Sequence, residues 1–195
     1  RHLNPIRAEA MGNGYLKVNL QWSATACGPG QIPVQLGDTV AIRSALATAV
    51  RVEDSAYTSF VDFGLYSSPG MGILEQGGVG GMVLERVNMI PGEKPRNATA
   101  ERLVSTNSDG THFIAVEKGP KVENCNFFGT SDDAINIHNF YFFVLKKVGD
   151  KRYYVSPKWD IGLQRADEIE AYEKDTFRSL GKAVVVSLTK KKTPE

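Results

Sequence analysis

The sequence predicts an all-β chain, with a right-handed parallel β-helix (a solenoid) followed by a small antiparallel β-barrel-like unit. Short β-type runs separated by glycines recur across residues 34–140, and helical periodicity is absent there. Two related motifs also recur, because Asp109 precedes a β-type run at 111–116 and Asp132 precedes another at 134–138. The motifs form a 23-residue repeat, a spacing typical of a solenoid whose coils stack on one another.

The elements before Asp109 follow from the same patterns. Residues 15–20 alternate as a half-buried strand does, and residues 34–43 suggest two strands around a Gly37-Asp38 turn. From Val50 onward the coils are recognisable, with strand-like runs at 50–54, 57–63, 71–75 and 82–89. Residues 122–127 should pair with 82–89 one coil on, and residues 90–100 should form a loop inserted into that coil, which would place Met71 beside His112.

The pattern changes after Phe140. Residues 142–148 and 152–155 flank Gly149-Asp150 as the two strands of a hairpin, and further strands are expected at 167–172 and 183–188. We therefore assign residues 1–140 to the parallel β-helix, with 1–33 poorly placed, and residues 141–195 to the antiparallel unit. The predicted boundary lies near Asn139.

Composition excludes some classes of function. The formal net charge is +1, which gives no electrostatic reason to expect nucleic acid as a partner. No apolar run approaches the roughly 20 residues of a membrane helix, so we expect no membrane insertion. The two cysteines, Cys27 and Cys125, are too few for a disulfide scaffold, and the sequence does not decide whether they pair. The chain begins at Arg1 without a methionine, so we expect it to be a piece of a longer chain.

The candidate site follows from stacking. Neighbouring coils lie about 4.8 Å apart, so the repeat should bring Asp109 beside Asp132 and Asp133. Three carboxylates at close range resist joint ionisation, and such clusters mark functional sites. One acid can then hold a proton while its neighbour stays charged, as inverting glycoside hydrolysis requires. We expect Asp132 or Asp133 to donate the proton and Asp109, with the remaining acid, to position water.

This chemistry requires no metal or cofactor, although three acids could also hold Ca²⁺. Asn107 and the histidines His112 and His138 are candidates for substrate binding, His112 being the better placed because it follows closely after Asp109. Each histidine could equally be structural, and each aspartate taken alone could be a turn residue.

The string Asn107-Ser108-Asp109-Gly110, followed by Ser131-Asp132-Asp133, resembles the motifs of polygalacturonase-type glycoside hydrolases, which are right-handed parallel β-helices. The fuller strings, residues 109–112, 119–125 and 132–138, more closely resemble glycoside hydrolase family 110. That resemblance implies an inverting, exo-acting α-1,3-galactosidase with β-barrel insertions, a galactose-terminated glycan as substrate, and a secreted or periplasmic location. The Arg-X-Lys clamp of polygalacturonases is not identifiable here, which favours a neutral sugar over a uronic acid.

Two other classes of function stay open. A β-helix polysaccharide lyase or epimerase would act on uronates with a basic catalytic residue, for which Arg86, Lys118 or Lys121 would have to serve. A non-catalytic solenoid of the adhesin or tailspike kind would only bind glycans.

Overall fold

The computed structural model describes residues 4–12, 14–21, 36–38, 41, 47–157 and 163–189. Its ordered elements are all β-strands, which confirms the predicted all-β class. No described residues form a helix long and apolar enough to cross a membrane. The chain divides into two compact units, residues 1–40 and 41–195.

In the first unit, strand β1 (Asn4–Gly12) pairs antiparallel with β2 (Tyr15–Gln21). The strand predicted at 15–20 is therefore confirmed, but its partner was not foreseen. Gly12 and Gly14 adopt positive φ angles of 78° and 79° at the turn, a conformation that glycine reaches without steric cost. Leu36 and Gly37 form a turn as expected, whereas the strands predicted on either side of it, like Cys27, lie outside the described residues.

The second unit begins with stacked coils whose strands form three parallel sheets. The first sheet contains β3 (Val50–Glu53), β6 (Ile73–Gln76), β9 (Thr111–Ile114) and β12 (Ile135–His138), in that spatial order. The second contains β4 (Ser59–Val61), β7 (Val83–Glu85) and β10 (Lys121–Glu123). The third contains β5 (Gly64–Leu65), β8 (Asn88–Met89) and β11 (Asn126–Phe127). Three successive coils each contribute one strand to each sheet in turn, and β12 adds a fourth strand to the first sheet, which is the parallel β-helix arrangement.

The register between β9 and β12 differs by one position from the predicted repeat. In the first sheet Val50 pairs with Ile73, Ile73 with Thr111, and Thr111 with Ile135. The predicted alignment of His112 with Ile135 is therefore wrong, and His112 pairs with Asn136 instead. The reason is side-chain alternation, because the observed register pairs Ile135 and Ile137 with the buried Thr111 and Phe113, whereas a shift by one residue would pair Ile135 with His112.

The paired residues Ile73 and Thr111 are far apart in sequence because of the insertion predicted after β8. Leu84 pairs with Val122 and Asn88 with Asn126, which confirms the predicted pairing of 82–89 with the segment near 122–127. No strand is assigned between Met89 and Thr111, where the chain forms a long excursion before entering β9. His112 pairs with Leu74 rather than with the expected Met71, so the inserted coil is slightly shorter than predicted.

The coil interior is the hydrophobic core. Its buried members are Leu65, Ile73, Met82, Leu84, Val87, Met89 and Phe113. Each coil bends between its second and third strands at one residue with positive φ, and these residues occupy equivalent positions on successive coils, namely Asp62, Arg86 and Asn124. A left-handed residue bends the chain sharply within one position, which lets short strands follow one another closely.

Beyond β12, two antiparallel hairpins follow. The first pairs β13 (Phe142–Gly149) with β14 (Arg152–Pro157), as predicted. The second pairs β15 (Glu168–Tyr172) with β16 (Ser179–Val184), so the strand expected at 183–188 was placed too late in the chain. No ladder joins the two hairpins within the described residues, and their closure into a barrel, like the boundary near Asn139, stays a prediction.

Candidate active site

The candidate site lies where the chain enters the first sheet. Ser68, Thr106 and Thr130 occupy stacked positions at this entrance, joined by parallel bridges. The Thr106 hydroxyl donates to the Ser108 carbonyl at 2.6 Å, and the Thr130 hydroxyl donates to the Asp132 carbonyl at 2.9 Å. Hydroxyl groups that bond to the backbone two residues on stabilise tight bends. The same bend is therefore formed on successive coils, just before β9 and β12.

These bends bring the three acids together. The Gly110 N–H donates to the Asp133 carbonyl at 2.8 Å, which stacks the end of one motif on the end of the other. One carboxylate oxygen from each of Asp109, Asp132 and Asp133 lies within 4.8 Å of the other two. Asp109 is buried, whereas Asp132 and Asp133 are exposed. The convergence expected from the stacking is present, while the catalytic role of the three acids stays a prediction.

The three acids approach one another closely. An inverting pair is typically roughly 6.5–9.5 Å apart, and the expectation that one cross-coil pair of carboxyl groups reaches that range stays a prediction. One oxygen of each acid lies within 4.8 Å of the other two. The cause is that the two bends are stacked at ordinary strand spacing, with Asp109 and Asp133 at equivalent positions.

Asp109 is held by two side chains on the outer face of the sheet. His112 Nδ1 lies 2.6 Å from Asp109 Oδ2, and Asn136 Nδ2 donates to the same oxygen at 3.3 Å. His112 and Asn136 are register partners on β9 and β12, so the parallel ladder places both beside the acid. Asn136 was not among the predicted site residues. The alternation of Ile135-Asn136-Ile137-His138 is the signal that identifies it, once Ile135 is aligned with Thr111 rather than with His112.

The two histidines also meet. His112 Nε2 lies 2.9 Å from His138 Nε2, and the ring centroids are 4.9 Å apart in an edge-to-face arrangement. His138 Nδ1 lies 3.2 Å from the Asn139 carbonyl oxygen. A hydrogen-bonded chain therefore runs from the buried Asp109 through both imidazoles to the backbone. The substrate-binding role expected for His112 and His138 stays a prediction.

Asn107 is the third candidate for substrate binding. Its side chain donates to the Pro69 carbonyl at 3.5 Å. It lines a cavity of about 340 Å³ together with Ser67, Ser68, Pro69, Arg102, Leu103 and Val104. A second cavity of about 550 Å³ is lined by Ile90, Pro91, Gly92, Glu101, Arg102, Asn126 and Phe128. Residues of the insertion thus contribute to both cavities, with Arg102 common to the two.

The three carboxylates also offer oxygen ligands of the kind that Ca²⁺ prefers. That ion takes six to eight oxygens, and the acid cluster provides three within 4.8 Å of one another. Asp109 Oδ2 is in addition already engaged by His112 and Asn136. The proton chemistry expected for the cluster stays a prediction.

Comparison with known proteins gives related sequences. No protein-family model matches the chain. An alpha-1,3-galactosidase B of Bacteroides fragilis is 28% identical over 131 residues, which cover 64% of this chain and 21% of that protein. An alpha-1,3-galactosidase A of Shewanella woodyi is 32% identical over 93 residues, covering 48% of this chain and 14% of the relative.

An alpha-1,3-galactosidase B of Bacteroides thetaiotaomicron is 36% identical over 74 residues, which cover 38% of this chain and 11% of that protein. The chain thus spans about a fifth or less of the length of these curated relatives. The relationship to the α-1,3-galactosidases of glycoside hydrolase family 110, which the aspartate motifs predict, is supported by these sequence similarities.

Proposed function

We propose that this chain carries the acid cluster of a glycoside hydrolase that releases α-1,3-linked galactose from neutral glycans. The observation that carries the proposal is the convergence of Asp109, Asp132 and Asp133 from neighbouring coils to within 4.8 Å. The curated relatives named alpha-1,3-galactosidase support the sugar and the linkage. A secreted or periplasmic location is part of the same proposal.

The roles of the acids follow from their surroundings. Asp109 is buried, lies in hydrogen-bond contact with His112 and accepts a hydrogen bond from Asn136. It is therefore the base that activates water. Asp132 and Asp133 are exposed beside it, and one of them gives its proton to the leaving glycosidic oxygen. The remaining acid helps to hold the water.

We propose inversion of the anomeric carbon, because a third carboxylate beside the acid–base pair provides a place to hold a water molecule. The close approach of the acids makes stereochemistry the informative measurement. Proton NMR during hydrolysis of an α-galactoside should show β-galactose as the first product. Accumulation of α-galactose would instead indicate a retaining mechanism with a covalent intermediate.

A lyase or epimerase is less well supported by the arrangement of basic residues. Arg86 is paired with Asp62 and Glu85, and Lys121 with Glu123. These basic residues lie on or next to the second sheet, whereas the acids enter the first sheet. Lys118, just before the second sheet, donates to the Tyr57 hydroxyl.

Substitution of the acids tests the proposal. Asp109→Asn, Asp132→Asn and Asp133→Asn each keep the side-chain shape and remove the ionisable group. Each should lower turnover of an α-1,3-galactoside by at least about a hundredfold, the low end of what acid–base catalysis contributes. Asp150→Asn, in the turn between β13 and β14, is the control and should leave turnover unchanged.

A substrate panel distinguishes the alternatives. Release of galactose from neutral glycans supports the hydrolase, and an unsaturated, ultraviolet-absorbing product from uronates would support a lyase. Binding of glycans with no product at all, or wild-type turnover after any two of the acid substitutions, would overturn the hydrolase and favour a glycan-binding solenoid.

A further inference from the structure

The contact between His112 and His138 has a consequence for the number of protons in the site. Their Nε2 atoms are 2.9 Å apart, an ordinary hydrogen-bond distance. Each ring nitrogen is either an N–H donor or a lone-pair acceptor. Two acceptors or two donors at this distance would repel, so one of the two Nε2 atoms carries a proton and the other accepts it.

The opposite nitrogen of each ring faces an oxygen acceptor. His112 Nδ1 lies 2.6 Å from Asp109 Oδ2, and the length of this contact fits a hydrogen bond to a carboxylate. His138 Nδ1 lies 3.2 Å from the Asn139 carbonyl oxygen, which can only accept. Both Nδ1 atoms therefore donate. Adding the proton between the Nε2 atoms gives three protons on two imidazole rings, and thus one positive charge.

We propose that His112 and His138 share this one proton along the Nε2–Nε2 line, forming a singly charged pair that positions Asp109 and balances its negative charge. The catalytic consequence rests on the proposed hydrolase function. The proton arrangement itself rests only on the hydrogen bonds.

The surroundings of the pair are consistent with one added positive charge. The acids of the cluster, Asp109, Asp132 and Asp133, are the nearest charged groups on the segments that lead into β9 and β12. The outer-face neighbours on β6 are the uncharged Leu74 and Gln76, which pair with His112 and Ile114. On β3 the outer-face residues Arg51 and Glu53 form an ion pair with each other.

The other contacts of the site that the described residues show are with uncharged groups. Asn136 donates to Asp109 between the two histidines, and the Phe140 ring packs edge-on against His138 at 5.8 Å. Asp109 is thus the carboxylate in direct contact with the pair, and Asp132 and Asp133 lie beside it in the cluster. A cation in contact with Asp109 balances the charge of that carboxylate while a neighbouring acid holds a proton, and this division of roles is what acid–base hydrolysis needs. His112 and His138 are positioning residues in this scheme.

Nitrogen NMR of the imidazole rings tests the proton count directly in the full chain, with no substrate. The chain has three histidines, so the His112→Gln and His138→Gln variants assign the signals. Near neutral pH we expect both Nδ1 atoms to be protonated and the two Nε2 atoms to share one strongly deshielded proton. The proposal would be overturned if both rings were neutral, with His138 Nδ1 unprotonated and His138 Nε2 donating to His112.

Activity tests the positioning role. In His138→Gln, the amide N–H can still donate to His112 Nε2, so the hydrogen-bonded chain is kept and the positive charge is lost. We expect kcat for an α-galactoside to fall by about tenfold, equivalent to about 1.4 kcal/mol of transition-state stabilisation, and the pH profile of kcat to shift while KM changes little. Arg51→Gln removes a positive charge from the same outer face, two strands away, and should change neither kcat nor its pH profile.

The outcomes separate the two proposals. Wild-type kcat and pH profile in His138→Gln would overturn the positioning role. A shared proton in a chain that hydrolyses no α-galactoside would support the histidine pair and overturn the proposed function.

Discussion

The middle coils and the first hairpin are built from similar residues but bury them very differently. On β6 and β9, Ile73 and Phe113 are completely buried. On β13, Phe143 and Leu145 are each 66% exposed, although the strand is longer and just as apolar. A solenoid strand is covered by the strands above and below and by the opposite sheets of its own coil, whereas a lone hairpin has one partner and two open faces. Burial here depends on stacking, which β-type composition alone does not supply.

The largest expected effect on stability comes from truncating one phenylalanine in the coils and comparing it with the same change in the hairpin. Phe113→Ala should cost about 3–5 kcal/mol of unfolding free energy, because it leaves a cavity in the packed coil interior. Phe143→Ala removes the same side chain from an exposed site and should change stability by about 0.5 kcal/mol or less. Urea unfolding followed by circular dichroism measures both. Equal losses would mean that the hairpin is as well packed as the coils.

A smaller effect should come from the spacing between coils. A Cβ at Gly72 would overlap the Gly110 carbonyl oxygen on the next coil and lie 2.9 Å from Met89 Sδ. Gly72→Ala should therefore cost about 1–3 kcal/mol, as overpacking does. Gly119→Ala has no atom within 4 Å of the new carbon and serves as the control. The thermal unfolding midpoint of Gly72→Ala should lie clearly below that of Gly119→Ala. Coincident midpoints would show that the coils are not tightly stacked at Gly72.

The smallest expected effect on stability concerns Glu75, an acidic residue within the otherwise apolar coil interior. Glu75 is completely buried at the position equivalent to Phe113, and neither carboxyl oxygen makes a hydrogen bond of ordinary geometry. Burial raises the pKa of Glu75, and the nearby Met82 backbone offsets part of the effect. Glu75→Met should stabilise the chain by about 1–2 kcal/mol above neutral pH, since a buried carboxylate without a partner is replaced by an apolar group of similar size.

The pH dependence of this effect has a definite sign. The folded chain holds the Glu75 proton more tightly than the unfolded chain, so the wild type is relatively more stable below the ordinary glutamate value of 4.5 and loses stability as the pH rises through the raised pKa of Glu75. Subtracting the pH profile of the unfolding free energy of Glu75→Met from that of the wild type isolates the contribution of Glu75. A difference that stays constant from acid to alkaline pH would show that Glu75 is ionised at no cost.

The sequence was sufficient to predict the coils and the meeting of the acids. Glycine-separated β-type runs and two aspartate motifs one coil apart required a stack with Asp109 near Asp132 and Asp133. The exact register was not predictable from the motifs, because Asp132 and Asp133 are adjacent and either could be taken as the equivalent of Asp109. The inward direction of Ile135 and Ile137 decides between them, and that direction is a property of the assembled sheet.

The hydrogen-bonded chain through His112 and His138 could not be predicted for the same reason. In the predicted register, with Ile135 beside His112, Asn136 would face the interior and His138 would lie away from His112. Glu75 gave no signal either, because an acid in such a short strand is normally placed on the solvent side. Both features depend on which face each side chain occupies in the folded coil.

The positions of the three acids do not depend on the length of the coil that leads to them, because the stacked residues Ser68, Thr106 and Thr130 fix the bends that carry the acids. The bend before β9 is closed locally by Thr106 and anchored to its neighbours by bridges, even though the coil that leads to it is much longer than the one that leads to β12. The excursion can therefore change in length and side chains while the carboxylates keep their positions. That excursion contributes residues to both cavities, so under the proposed function loop exchange could change the surface offered to a substrate while the three carboxylates stay in place.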